Sequence, residues 1–376
     1  MDLDKAQDAT VQDITGVKRL HWLGADQVSI RLAAPAYSAR VSLHAVKVCV
    51  SLVVVIVLLV ALNVSVGQYA LPLTDVLPSM FGLGDSTTNF IVQTLRLPRA
   101  LDAVLVGLAF GMSGAIFQSV MRNPLASPDV LGVESGAAAA AVLMIVSAGI
   151  VSGGYSTVSI AGGALLGGLT TALGVYVLAY KRAGVSGYRL MLIGISVAAA
   201  LHGVTVFLLT RASVNQAQQA AQWLNGSLSG RGWGDLVPVG FALIVLLPLA
   251  QLLTRQLLAL QLGDDTARGL GVRVETTRLA LIVAGAVLAA TATASAGPLL
   301  FVALVAPQLA RRVARTTTGA LMPAALIGSA LVCAADLVGR LVIPPLEEPV
   351  GVVTAILGAP YLLWYLTRSN RAGARV

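Results

Sequence analysis

Charge is scarce in this sequence of 376 residues: Asp, Glu, Lys and Arg together make up 11% of it, against 57% apolar residues. That balance excludes a single soluble domain, whose core could not hide so much apolar surface. Aromatic residues are equally sparse at 5%, while glycine reaches 38 residues, a composition that suits helices packed closely through small side chains. The only cysteines, Cys49 and Cys333, each lie inside an apolar run without metal-ligand spacing, which excludes a disulfide framework and a zinc site. No Gly-x-x-x-x-Gly-Lys-Ser/Thr loop occurs, and no Gly-Lys dipeptide, so any ATP chemistry belongs to another chain. No serine sits on a Gly-x-Ser-x-Gly elbow and no His/Glu/Cys cluster has ligand spacing, which argues against an intramembrane enzyme and against a bound metal. A cleavable leader is not expected: the first apolar run starts about forty residues in and lacks a small-residue cleavage site.

What is present is a series of long apolar runs. They fall at 48–66, 97–120, 133–151, 158–180, 190–210, 236–253, 279–296, 299–310, 321–338 and 350–366. Most match the roughly 20 residues that cross a hydrocarbon core of about 30 Å. The uncharged stretch from Leu279 to Ala310 would run about 48 Å as one helix, too long for one crossing. Gly297-Pro298, near its middle, is expected to break it into a hairpin with a short second leg. The fold class expected is therefore all-α and polytopic, with about ten transmembrane helices. Residues 1–42 mix charges and small polar residues without a sustained period and read as a partly disordered cytoplasmic arm. The membrane domain then spans 43–368, and 369–376 form a cytoplasmic tail.

The formal net charge is +8. The cations sit in short loops between apolar runs, where they orient helices among membrane lipids rather than bind nucleic acid. With ten helices and both termini in the cytoplasm, every Lys and Arg except Arg96, Arg99, Arg211, Arg231 and Arg340 falls on the cytoplasmic side. This bias supports the topology and singles out those five arginines. Small residues four apart, Gly107 with Gly111 and Gly163 with Gly167, allow close helix approach, read here as packing within the chain.

Between Arg96 and Gly136 the chain reads RLPRALDAVLVGLAFGMSGAIFQSVMRNPLASPDVLGVESG. This resembles the opening signature of the FecCD permease family of iron-siderophore and vitamin B12 ABC importers. Three further blocks follow in family order: LGDDTARGLGV at 262–272, FVALVAPQLARR at 301–312 and EEPVGVVTAILGAPYLLWYL at 347–366. The resemblance covers about residues 45–368. It implies a ten-helix bundle of the type II ABC importer kind in the bacterial inner membrane, importing an iron-siderophore complex. A permease for cobalamin or haem in the same family is the alternative. An ion-coupled secondary transporter would show internal repeats and paired intramembrane carboxylates, and neither stands out.

The resemblance also implies partners: a second permease of the family, two ATP-binding subunits carrying ATP and Mg, and a substrate-binding lipoprotein or periplasmic protein. The long polar arm and the departures Glu134, Gln308 and Glu348 favour a non-identical permease partner over a second copy. Leu262, Gly263, Asp264, Asp265, Ala267, Arg268, Leu270 and Gly271, within a loop near 257–275, become the expected ATPase-coupling segment. Its glycines bracket a short helix with acidic residues capping its N-terminal end. Arg96, Arg99 and Arg340 become docking residues for carboxylates of the binding protein, which guanidinium pairs with directionally. Their plainer reading is neutralisation by Asp102 or Asp336, or headgroup contact. Candidate pathway or gate positions are Asn123, Pro124, Glu134, Ser196 and His202. For Glu134 the plainer role is stabilising the positive end of the third span, and for His202 a helix-to-helix hydrogen bond. Gln308 replaces a family histidine and cannot take a proton near neutral pH.

Overall fold

The computed structural model describes residues 17–18, 27–32, 37–67, 71–147, 157–181, 184–315, 320–343 and 346–373. Three short strands, β1 (Val17–Lys18), β2 (Gln27–Leu32) and β3 (Tyr37–Ser42), form an antiparallel sheet ahead of the first helix. In it Val28 pairs with Val41, Ile30 with Ala39 and Leu32 with Tyr37. A strand period is thus present where none was read. Apolar residues alternate with polar ones through QVSIRL and YSARVS, in runs too short to stand out beside the neighbouring charges. The rest of the expected arm lies outside the described residues, as do Arg182, the end of the third expected span and the last residues of the tail.

Helix α1 (Leu43–Ser65) is followed by two short helices, α2 (Leu73–Met80) and α3 (Ser86–Phe90). A π-helical turn, Ile91–Arg96, joins α3 to α4 (Leu97–Val120), so that Ser86–Val120 is one rod of 35 residues. A 3-10 turn at Pro128–Leu131 leads into α5 (Val133–Ser147), α6 (Thr157–Ala179) and α7 (Gly187–Thr210). Helix α8 (Val214–Leu224) precedes α9 (Trp233–Leu252), α10 (Thr254–Gln261), α11 (Asp264–Gly269) and α12 (Val274–Ala296). The chain ends with α13 (Val302–Val313), α14 (Leu321–Leu341) and α15 (Val350–Gly373).

Each of the ten expected spans is met by a helix. Among the described residues seven helices are long and apolar enough to cross a membrane; α5 and the apolar part of α15 are shorter, and α13 is shorter still. The break between α12 and α13 falls at Gly297-Pro298, with Gly297 at φ +77° and Phe301 also in the left-handed region. Helix α15 continues to Gly373, so most of the expected tail is helical. The amphipathic α8, capped reciprocally by Ser213 and Gln216, had no counterpart in the span pattern, because its Gln-rich face interrupts apolar periodicity.

Helices α4 and α12 form the centre, where Phe110, Met112, Ile116, Phe117, Leu281 and Leu288 are fully buried. Close approach through small residues holds that centre together. A Cβ on Gly107 would lie 2.4 Å from Ser329 Cα of α14, and one on Gly111 would lie 2.2 Å from Ala324 O. The same packing joins α5 to α6, where Gly167 abuts Gly136 and Ala140. By contrast α1 and α7 leave most of their apolar side chains exposed, as lipid-facing or subunit-facing helices do. Helix ends meet as alternating topology requires. The start of α1 meets the end of α13, with His44 Nε2 donating to Val313 O at 2.9 Å. The end of α1 meets the start of α4 and the end of α14.

Candidate functional site

Two polar clusters stand at opposite ends of α4. At its C-terminal end the chain turns through Arg122, whose φ is positive, and Asn123 closes the turn by accepting from Leu125 N at 2.9 Å. Asn123 Nδ2 also reaches Met191 Sδ at 3.2 Å, and Gln308 Nε2 donates to Pro124 O at 3.0 Å. The Gln308 amide therefore holds the Asn123-Pro124 turn, a task that needs no titrating group. A cavity of about 300 Å3 opens beside it, walled in part by Gln118, Arg122, Asn123, Gln261 and Arg311.

The expected coupling segment packs against the same end. Gly263 and Gly271 take φ of +114° and +81°, and no atom lies within 4 Å of a Cβ built on Gly271. The backbone conformation, not crowding, is what calls for glycine there. Between these turns α11 buries Ala267 while Leu262 and Leu270 stand 66% and 63% exposed. The acidic residues do not cap the helix as expected, since the cap is Gly263 and makes no side-chain bond. Asp264 instead bridges two helices: its carboxylate accepts from Arg278 Nη2 at 2.8 and 2.9 Å and also from Arg122. Burial pushes that carboxyl up, but the bonds from Arg278 and Arg122 outweigh it and hold it below the usual carboxylate range. Arg278, itself buried, donates to Val185 O at 2.9 Å. Arg268 pairs with Asp265 at 3.1 Å and lies 3.9 Å from Glu275. The segment is thus rooted in α4 and α12 and presents apolar side chains outward.

At the other end of α4 the structure joins the three expected docking arginines into one network. Arg96 Nη1 donates to Val64 O and Ser65 O at 2.9 and 3.0 Å. Arg99 grips Asp336 Oδ1 through Nε and Nη2 at 3.1 and 2.8 Å, and reaches Glu347 Oε2 through Nη1 at 2.6 Å. Arg340 donates to Asn63 O, Val66 O and the Asn63 side chain, and to Asp336 Oδ2 at 2.7 Å. Asp336 therefore serves two arginines. Asp102 serves none of the three: it accepts from Ser295 Oγ at 2.9 and 2.8 Å. Glu347, off the membrane helices, is pushed up by burial but held below the usual range by Arg99 and Ser229.

The remaining candidates scatter. Glu134 is buried in the first turn of α5, and its Oε1 has no hydrogen-bond partner. Ser196 is exposed and its hydroxyl returns to Leu192 O at 2.9 Å. His202 is also exposed and makes no helix-to-helix hydrogen bond among the described residues, because its side of α7 stands open among them. Glu347, Ser229, Asn63 and the partnership of Asp264 with Arg122 were not read from the sequence. The Asp336 and Arg340 pair carries the i,i+4 signal of a helix, but Asn63 is 277 residues from Arg340 and no local pattern joins them.

The chain is 42% identical over 81% of its length to the ferric enterobactin transport system permease protein FepG of Escherichia coli (strain K12), covering 91% of that protein. It is 40% identical over 89% of its length to the achromobactin transport system permease protein CbrC of Dickeya dadantii (strain 3937), covering 95% of it. A solved inward-facing conformation of a metal-chelate type ABC transporter superposes with a TM-score of 0.75 at 24% identity, over 86% of this chain and 99% of that one, which establishes the fold. The FecCD transport family matches residues 54–368, and this chain, a multi-pass membrane protein, belongs to that family.

Proposed function

We propose that this chain is the membrane-spanning permease subunit of an ATP-driven importer that moves an iron-siderophore complex into the cytoplasm. The observation that carries the reading is the segment around α11, whose flanking Leu262 and Leu270 are exposed to a partner while Asp264 ties it to α12 and to Arg122 just past the end of α4. A displacement imposed on α11 therefore reaches the two most buried helices of the bundle. ATP and Mg belong to two ATPase subunits that engage this segment. A substrate-binding protein delivers the cargo at the opposite face, around Arg96 and Arg99, and both termini lie in the cytoplasm. The relatives, one a ferric enterobactin permease, support the cargo class.

The test is biochemical. Purified alone, the chain should hydrolyse no ATP, while the complex with its ATPases should hydrolyse it and load proteoliposomes with a ferric siderophore supplied through the binding protein. Uptake that persists without nucleotide, driven by a proton or sodium gradient, would defeat the proposal.

A further inference from the structure

We propose that Glu347 is an internal stand-in for a partner's carboxylate, occupying Arg99 at the outer face until a docking protein replaces it. This rests on the docking reading given above. Arg99 has three guanidinium nitrogens, and Nε and Nη2 are committed to Asp336. Nη1 makes no bond to Asp336 and is held by Glu347 at 2.6 Å, so an external acid that takes this nitrogen competes with Glu347 for it. The two acids differ in kind. Asp336 is fully buried and shared with Arg340, so taking it from Arg99 would strand a charge in the bundle. Glu347 is 33% exposed and sits in the connection between α14 and α15, outside the helices, where an ion pair is cheap to exchange.

Glu347 also has a second hold. Ser229 Oγ, in the α8–α9 connection, donates to the same Oε2 at 3.2 Å. One carboxylate oxygen thereby ties three outer segments: the start of α4, the α8–α9 connection and the α14–α15 connection. A recess of about 370 Å3 borders it, with Gln219, Gln222, Asn225, Ser229 and Arg231 on its wall. Ile145, Ile160, Trp223 and Pro349 complete the wall, and this mixture of polar and apolar groups is what a protein edge covers. When a carboxylate of the docking protein takes Nη1, Glu347 leaves Arg99, the pull on Ser229 relaxes, and one ion pair replaces another. Docking on the native chain then gains less electrostatically than docking on a chain whose Arg99 is already vacant.

The experiment uses the assembled transporter in nanodiscs and the substrate-binding protein that supports its uptake, with affinity measured at two or more salt concentrations. Glu347→Gln should tighten docking about two- to fivefold, the worth of an exposed ion pair. It should also steepen the salt dependence, because an ion pair is then formed outright rather than exchanged. Ser229→Ala, which loosens the hold without touching an arginine, should shift affinity the same way by less. In an Arg99→Gln background, Glu347→Gln should change nothing further. If Arg99→Gln weakens docking while Glu347→Gln neither tightens it nor steepens its salt dependence, the exchange is wrong and the dock stands. Unchanged docking in both Arg96→Glu and Arg99→Gln proteins of normal thermal stability would remove the dock, and the exchange with it.

Discussion

Asp264 shows how much a single carboxylate organises at the α11 end of the bundle. Its charged form is favoured by Arg278 and Arg122, so its folded-state pKa lies below the unfolded one. The stability it contributes is full above the ordinary carboxylate value of about 4 and disappears as pH falls through the lowered folded value. Hydrogen exchange of residues 262–272, followed from neutral pH downward, should show the segment loosening only in that acid window. Asp264→Asn should exchange fast already at pH 7, with that acid step gone. Protection of the segment in Asp264→Asn equal to the native protein would deny the anchor. At the opposite end, the arginines divide by burial. Arg340 is 5% exposed and lies 2.7 Å from Asp336, so Arg340→Glu should cost about 3–5 kcal/mol of stability by setting two buried acids together. Arg96→Glu should leave folding near normal and weaken docking by about 1–3 kcal/mol. Thermal unfolding and binding-protein affinity, measured on both, separate the roles; an Arg340→Glu protein of native stability would overturn this division.

Among the elements, α11 depends on its two flanking turns. Gly271→Val would force a β-branched residue into the left-handed region, at about 1–2 kcal/mol or more, in a place with no crowding to confuse the result. Because the strain falls on the link between α11 and α12, uptake should drop much further than complex stability. The ratio of transport to ATP hydrolysis in proteoliposomes measures this, and native coupling in the variant would sink the coupling role. The α4–α14 contact makes the opposite kind of prediction. Gly107→Leu has backbone of Ser329 within 2.4 Å of its Cβ and nowhere to put a side chain, so the chain should lose at least about 1–3 kcal/mol and be recovered poorly from membranes. Full recovery at native thermal stability would mean that the helices part without cost.

For the whole molecule, the exposed faces of α1 and α7 leave room for both lipid and a second subunit. His202 on the α7 face has no hydrogen-bond partner among the described residues, and an imidazole at membrane depth is poorly placed against acyl chains. Together with the departures at Glu134, Gln308 and Glu348, this supports assembly with a second, non-identical permease. Intact-mass analysis of the complex purified under native promoters should find one of each chain. An active complex built from copies of this chain alone would refute it.

Much of this architecture could be read before any coordinates, and the reason is the solvent. A bilayer imposes one length and one period on every crossing, so the apolar runs and the Gly297-Pro298 break each carried a direct meaning. The Gly263 and Gly271 turns were equally legible, because positive φ favours glycine by local sterics. The small sheet between Val17 and Ser42 was not, since period-two runs of six residues are weak signals. Which acid meets which arginine was decided only by the fold. Asp336 and Glu347 are brought to Arg99, and Asn63 to Arg340, by helix packing across more than two hundred residues, and at that separation pairing depends on three-dimensional proximity, which no spacing in the chain encodes.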